Sequence, residues 1–336
     1  WRKNRSTYRT GLDMRDCYNR EIDYMRISVT NRCNFRCTYC MPETKKVEET
    51  LSLDEIYEVA LAASRCGITK FKITGGEPLI RDGISDFIKR LHDIDSVKDI
   101  TMTTNGFYLC KYAKDLAEAG LSSVNVSLDS LKKDRFLKIT GVDALDDVME
   151  GIYKAEKSGL STKINTVLQR GVNDDELFDI IELARDKNIN IRFIEMMPIG
   201  HGKESDGVSN FEVSEKIKEK YIVSEDNKRH GNGPAKYIKL EGFKGSIGFI
   251  SAIHGKFCDG CNRIRFTSNG KLKPCLCYAS NIDLKDIIKD KTIESDKKIK
   301  LLEEKIRECI TTKPKAHAFE DLSKVSELKD MVEIGG

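Results

Sequence analysis

Cys33-x3-Cys37-x2-Cys40 gathers three thiols in one short segment. Thiolates at this spacing can ligate three irons of a cubane cluster, and because full ligation takes four, one iron is left open for a substrate. Zinc is the other use of such a group, but it wants a fourth protein ligand, and residues 31–42 contain no histidine. Far downstream, Cys258-x2-Cys261-x13-Cys275 repeats the theme, with Cys277 as a candidate fourth thiolate. Cysteine pairs separated in this way suit a zinc ribbon as well as an open cluster, so spacing alone leaves the second group undecided. The chain has 11 cysteines, an odd number, with Cys17, Cys66, Cys110 and Cys309 standing apart from both groups. In a reducing compartment such clusters mean metal before they mean disulfide.

Other segments carry chemistry of a different kind. Gly75-Gly76-Glu77-Pro78 combines glycines that let a backbone approach a ligand closely with a carboxylate able to accept from an ammonium. Arg263-Ile-Arg265 begins two residues after Cys261 on a β-prone run, so both guanidiniums project from one face, an arrangement suited to a polyphosphate. The chain ends in Gly335-Gly336, which by itself reads as a frayed terminus.

Repeated βα units must position these residues. Six β-prone runs, 24–30, 70–74, 99–104, 123–128, 161–168 and 190–195, alternate with helix-like stretches, the pattern of a parallel sheet. Ser52 and Glu55 form a capping box before an apolar stripe at Leu53, Ile56, Tyr57, Ala60 and Leu61, with Gly67 as the stop. Further helices are expected at 84–92, 111–119, 145–158 and 175–187. Periodicity allows either an open doubly wound sheet or an incomplete barrel. Beyond Gly200 the rhythm changes to a helix near 211–219, alternating runs at 236–240, 246–251 and 263–267 that suggest an antiparallel portion, and a charged helical region over 283–310. The expected division is therefore 1–13, 14–200 and 201–336. Residues 1–13 lack any hydrophobic period and read as a disordered leader or an added remnant, with Met14 a candidate natural start.

Composition narrows the class. With 336 residues and a net charge of +3, the chain has no excess of either sign to attract nucleic acid, and any anion must be met by a local cluster. No run approaches the about 18 apolar residues of a membrane helix, and the first residues lack a signal-peptide core, so a soluble cytoplasmic protein is expected.

The segment Cys33-Asn34-Phe35-Arg36-Cys37-Thr38-Tyr39-Cys40 resembles the signature of the radical S-adenosylmethionine superfamily, and Gly75-Gly76-Glu77-Pro78 supports the match. The resemblance implies a [4Fe-4S] cluster whose open iron is chelated by S-adenosylmethionine, cleaved to a 5′-deoxyadenosyl radical. From Met14 to Gly336 the chain is similar to one subfamily, the GTP 3′,8-cyclases of molybdenum cofactor biosynthesis. That similarity rests on 23–33, Thr103-Thr-Asn-Gly106, Asn125-Val-Ser-Leu-Asp129, Cys261-Asn-Arg-Ile-Arg265 and the terminal glycines. It implies an α/β fold, an incomplete six-strand (βα) barrel of TIM type covered by C-terminal antiparallel and helical elements. It also implies a first cluster on Cys33, Cys37 and Cys40 with Tyr39, Gly76, Ser127 and Met197 around S-adenosylmethionine, and a second [4Fe-4S] cluster on Cys258, Cys261 and Cys275 against the purine. Arg20, Lys72, Thr103, Lys163, Arg263 and Arg265 would contact GTP, and Gly335, Gly336 and Arg20 would serve catalysis. Many members carry Arg where this chain has Lys72, which keeps the charge and loses the bidentate fork. An electron donor, a downstream cyclic pyranopterin monophosphate synthase and a homodimer complete the expectation.

The cationic set has its own logic, since a buried triphosphate with about four negative charges needs converging cations. Two other readings remain at this level: a radical enzyme acting on a peptide or other substrate with an auxiliary cluster, and a non-catalytic metal-cluster protein with closed four-ligand sites.

Overall fold

Alternation along the first strand sets the plan of the molecule. In β1 (Tyr24–Ser28), Tyr24 and Arg26 face a central cavity, while Met25 and Ile27 are fully buried on the opposite side. The structure, a computed structural model, describes residues 14–41, 43, 50–228, 230–280 and 282–335. The leader expected at 1–13 and the terminal Gly336 lie outside the described residues.

Five βα repeats and a sixth strand follow one another: β1, α1 (Leu53–Arg65), β2 (Lys70–Thr74), α2 (Ile84–His92), β3 (Asp99–Thr104), α3 (Leu109–Glu118), β4 (Ser123–Ser127), α4 (Lys133–Thr140), α5 (Leu145–Lys157), β5 (Ser161–Thr166), α6 (Leu177–Glu182) and β6 (Ile189–Ile194). The Ser52–Glu55 capping box is present, and α1 ends at Cys66 with Gly67 in the left-handed region at φ +102°. In α2, Ile84, Phe87, Ile88 and Leu91 form the buried stripe that seats the helix on the sheet. Within this portion two helices depart from the sequence reading. Helix α4 escapes it because only Phe136, Ile139 and Thr140 are buried and no side chain caps its start. The helix expected over 175–187 shrinks to α6, preceded by a 3-10 turn in which the buried Glu176 accepts hydrogen bonds from Ser130, Leu131 N–H and Arg135.

The remaining chain supplies α7 (Asn210–Lys220), β7 (Val223–Asp226), β8 (Lys236–Leu240), β9 (Ile247–Ile250), β10 (Arg263–Phe266), β11 (Lys271–Lys273), β12 (Ile282–Asp283), α8 (Lys285–Lys289), α9 (Ser295–Thr311) and α10 (Met331–Ile334). All strands join one sheet in the order β12-β11-β10-β1-β2-β3-β4-β5-β6-β9-β8-β7, which does not close. The runs near 246–251 and 263–267 join in parallel: β9 extends β6 and β10 extends β1, and antiparallel pairing begins one strand further out on each side. Helix α9 buries Ile299, Leu302, Ile306, Cys309 and Ile310 and packs on α1. Among the described residues, no helix is long and apolar enough to cross a membrane.

Candidate active site

Parallel register fixes which side chains share a level inside the barrel. Arg26 pairs with Lys72 on one side and Arg265 on the other, so β10, β1 and β2 present three cations in one row. Lys163 and Arg192 add two more from β5 and β6, and Arg263 enters one step lower on β10. All six line a cavity of about 360 Å³. Lys72 and Arg265 are pushed well below their usual values by burial and by the neighbouring cations; Lys163 falls to about 8 and Arg26 to about 10 for the same two reasons. Arg263 Nε is buried with no hydrogen-bond partner among the described residues. The two carboxylates of the lining, Asp129 and Glu195, are taken up by Tyr39 Oη and Val167 N–H and by the N–H groups of Asn210, Ile253 and His254. Such a field calls for a polyanion.

Cysteine groups stand at opposite mouths of this cavity. Cys33, Cys37 and Cys40 follow β1 at the C-terminal ends of the strands, where parallel α/β folds put their active sites. Cys258 and Cys261 precede β10, which runs parallel to β1, and Cys275 follows the antiparallel β11, so this group lies at the N-terminal ends. Burial raises the thiols of Cys33, Cys37 and Cys40, and neighbouring thiolates of the group push Cys37 and Cys40 further, the latter to about 12. Burial likewise raises Cys258, with Cys275 and Cys261 adding to it; at Cys261 burial is outweighed by Arg263 and Lys313, which hold the thiol at about 7. All six thiols are free, and among the described residues no three His, Cys, Asp or Glu side chains converge as ligands of a single ion do. Three free thiols facing one cavity are the donor type that an iron–sulfur cluster takes, and each trio supplies that set.

Cys277 turns aside. Its sulfur accepts from Ala318 N–H and sits in a small apolar cluster with Phe319, Val325 and Ile334, and Cys277 itself is outside the cavity lining.

The first cysteine loop is held by parts that its own sequence does not announce. Arg36 N–H and Thr38 N–H donate to Thr140 O and Ile139 O at the end of α4, and Phe35 packs edge-on against Phe136 of the same helix. Gly76 N–H and Glu77 N–H donate to Thr30 O and Arg32 O. A Cβ on Gly76 would stand 2.0 Å from Arg32 O, so the glycine is required by the loop's own backbone. The Glu77 carboxylate lies outside the cavity lining and accepts from Thr104 Oγ1, Asn105 N–H and Leu79 N–H; it braces the turn, and the ammonium-accepting role read from sequence is not the one its oxygens serve.

Of the other residues singled out from sequence, Tyr39, Gly76, Ser127, Met197, Thr103, Lys72, Lys163, Arg263 and Arg265 all line the cavity. Arg20 does not. Its guanidinium is spent on the Asp16 carboxylate and on the carbonyls of Cys258, Lys315 and Pro314, where it fastens the second cysteine loop. The cations that sequence reasoning passed over are Arg26, Arg192 and Lys313, the last donating to Arg263 O and Pro274 O. Inward register could have found Arg26 and Arg192, since both fall on cavity-facing positions of strands already recognised. Gly335 packs at φ +72° against Ser28 and Thr74 at the C-terminal mouth, and its carbonyl accepts from Arg265 at 2.7 Å.

Comparison with known proteins completes the picture. Residues 27–184 match the Radical SAM superfamily and residues 189–319 match Molybdenum Cofactor Synthesis C. GTP 3′,8-cyclase of Clostridium perfringens strain 13 is 45% identical over 328 residues, covering 96% of this chain and 100% of the relative. The chain belongs to the GTP 3′,8-cyclase family. A second member, from Helicobacter pylori strain 26695, is 41% identical over 96% of this chain and 99% of its own length. Among solved structures, Streptococcus suis SuiB bound to S-adenosylmethionine superposes with a TM-score of 0.60 at 16% identity, over 81% of this chain and 66% of that one, a likeness of fold. Membership in the GTP 3′,8-cyclase family brings with it a [4Fe-4S] cluster and S-adenosylmethionine.

Proposed function

We propose that the chain is a radical enzyme that converts GTP to (8S)-3′,8-cyclo-7,8-dihydroguanosine 5′-triphosphate, the first step toward the molybdenum cofactor. The observation that carries this reading is one cavity with a cysteine trio at each mouth and seven Lys and Arg side chains in its lining. Cys33, Cys37 and Cys40 would hold the cluster that binds S-adenosylmethionine, with Tyr39, Gly76, Ser127 and Met197 around that cofactor. Cys258, Cys261 and Cys275 would hold a second [4Fe-4S] cluster, and the portion 201–336 would complete the site begun by 14–200.

Bound together, the reduced cluster and S-adenosylmethionine supply a carbon-centred radical able to take hydrogen from C3′ of the ribose. The chain's part is to hold the nucleotide. Cyclisation joins C3′ to C8, so ribose and base must be kept in one folded conformation, and fixing the phosphates is the means. Arg26, Lys72, Lys163, Arg192, Arg263 and Arg265 neutralise them, and Thr103 lines the same wall. Gly335, gripped by Arg265, closes the C-terminal mouth against water, and Gly336 continues that tail. Arg20 acts through the Cys258 loop that it fastens. An electron donor, a homodimeric state, a cytoplasmic setting and a pyranopterin synthase that takes the product belong to this reading.

The test is an anaerobic reaction of cluster-reconstituted protein with S-adenosylmethionine, dithionite and GTP, analysed by chromatography and mass spectrometry. Appearance of 5′-deoxyadenosine with a GTP isomer of changed retention is expected. If 5′-deoxyadenosine forms and GTP is untouched, the substrate is another molecule.

A further inference from the structure

The N-terminal mouth of the barrel has two halves, and only one is filled by cysteines. Beneath β3 to β6 lies the connection between β7 and β8, whose residues His230, Gly231, Asn232, Gly233 and Pro234 line the cavity floor. Latches hold it to the strand starts. Asn190 Oδ1 accepts from Ser246 N–H, so its Nδ2 is the donor toward His230 Nδ1 at 3.2 Å. That leaves the ring proton on Nε2, which donates to Asp226 Oδ2 at 2.7 Å. The ring also lies 4.3 Å from that of Tyr237. On the far side Asn232 Nδ2 donates to Asp99, the first residue of β3.

The position of this segment decides what it can do. Lys163 Nζ reaches down to the hydroxyls of Ser123 and Ser161, and a Cβ on Gly231 would meet its terminal atoms at 4.0 Å. Lys163 is therefore a cation at the floor, Arg192 reaches it through Tyr237, whose ring meets that of His230, and Asp99 is the carboxylate whose charge Lys163 senses. By occupying Asp99, Asn232 turns a carboxylate away from an anion site; by occupying Asp226, His230 does the same on the other flank. Glycines at 231 and 233 leave the backbone bare where an anion would approach.

We propose that His230–Pro234 is a floor that measures the phosphate chain of the nucleotide: it closes the Lys163–Arg192 end over the distal phosphates and selects the triphosphate over shorter forms. His230 and Asn232 are positioning residues that act through the floor. The inference rests on the reading that the cavity takes GTP.

Equilibrium dialysis on cluster-reconstituted protein without S-adenosylmethionine measures binding of GTP, GDP and GMP with no turnover. The parent protein should prefer GTP to GMP by about 10- to 100-fold, the worth of one or two charged hydrogen bonds. In Asn232→Ala and His230→Ala that preference should shrink about tenfold or more through loss of GTP affinity, with GMP binding held. A preference that stays constant while both affinities fall, or that does not move, overturns the proposal and leaves the cyclase reading standing. Failure of the parent to bind any guanine nucleotide overturns both. Should the variants not fold, tryptic cleavage after Lys228 in the parent gives the answer directly. Slowing by GTP and not by GMP supports the floor, and equal protection by both ends it.

Discussion

Arg20 and Arg26 show what a single side chain's surroundings decide. Arg20 lies among acceptors: one buried carboxylate and three carbonyls, including that of Cys258. Arg26 lies among cations, with Lys72 and Arg265 in its own row, and burial together with the charges of Arg263 and Arg192 lowers it to about 10. Their replacements should therefore have opposite signatures. Arg20→Ala strands the Asp16 carboxylate and should cost about 3–5 kcal/mol of stability, with iron lost from the second cysteine group as the Cys258 loop loosens. Arg26→Ala relieves repulsion, so stability to urea should hold or rise, while GTP affinity drops about 10- to 100-fold. Urea titration, iron analysis and GTP binding on both variants check this. A stable, iron-replete Arg20→Ala protein that has lost only GTP affinity would return Arg20 to the phosphate set.

Elements explain why some of the site was legible and some was not. The six inner strands announce themselves because β-branched runs recur between amphipathic helices, and the start and end of β2 and β3 coincide with the sequence reading. Cysteine spacing and the glycine pair were readable because both are local. Helix α4 was not, although its terminal carbonyls hold the first cysteine loop, because a short helix with few buried side chains leaves almost no periodic signal. The floor segment was equally silent, since the latches that seat it under the barrel, Asn190 to His230 and Asn232 to Asp99, join residues far apart in sequence. Asp226, one of those latches, makes the floor sensitive to acid. Burial raises its carboxyl, but hydrogen bonds from Ser246, Lys228 N–H and His230 outweigh this and bring it to about 2. A folded value below the unfolded one of about 3.9 stabilises the fold at higher pH and is lost as pH falls from about 4 to 2. The stability gap between the parent and Asp226→Asn should therefore narrow by about 1 kcal/mol between pH 5 and pH 3. Urea unfolding at the two values measures it; a gap that widens on acidification contradicts the assignment.

At the scale of the molecule, the matches to two family models divide the chain near residue 187, but the sheet does not. Strands β9 and β10 come from the second portion and pair in parallel with β6 and β1, the two outer edges of the first. Cys258, Cys261, Arg263 and Arg265 enter the cavity only because β10 is seated on β1, and Gly335 reaches Ser28 and Thr74 from the other end of the chain. Removing residues 201–336 would bare two long edges, each a row of unpaired N–H and C=O groups that invites other chains. It would also leave Arg26, Lys72 and Lys163 in a barrel stripped of the second cysteine trio and of the tail. A fragment of residues 14–200 is therefore expected to associate or to fail to fold, while the whole chain loses its far-ultraviolet and near-ultraviolet signals in one transition. Analytical ultracentrifugation and thermal unfolding of the two proteins distinguish the cases. A monomeric fragment with its own cooperative transition would make the first portion an independent unit and the second an attachment to it.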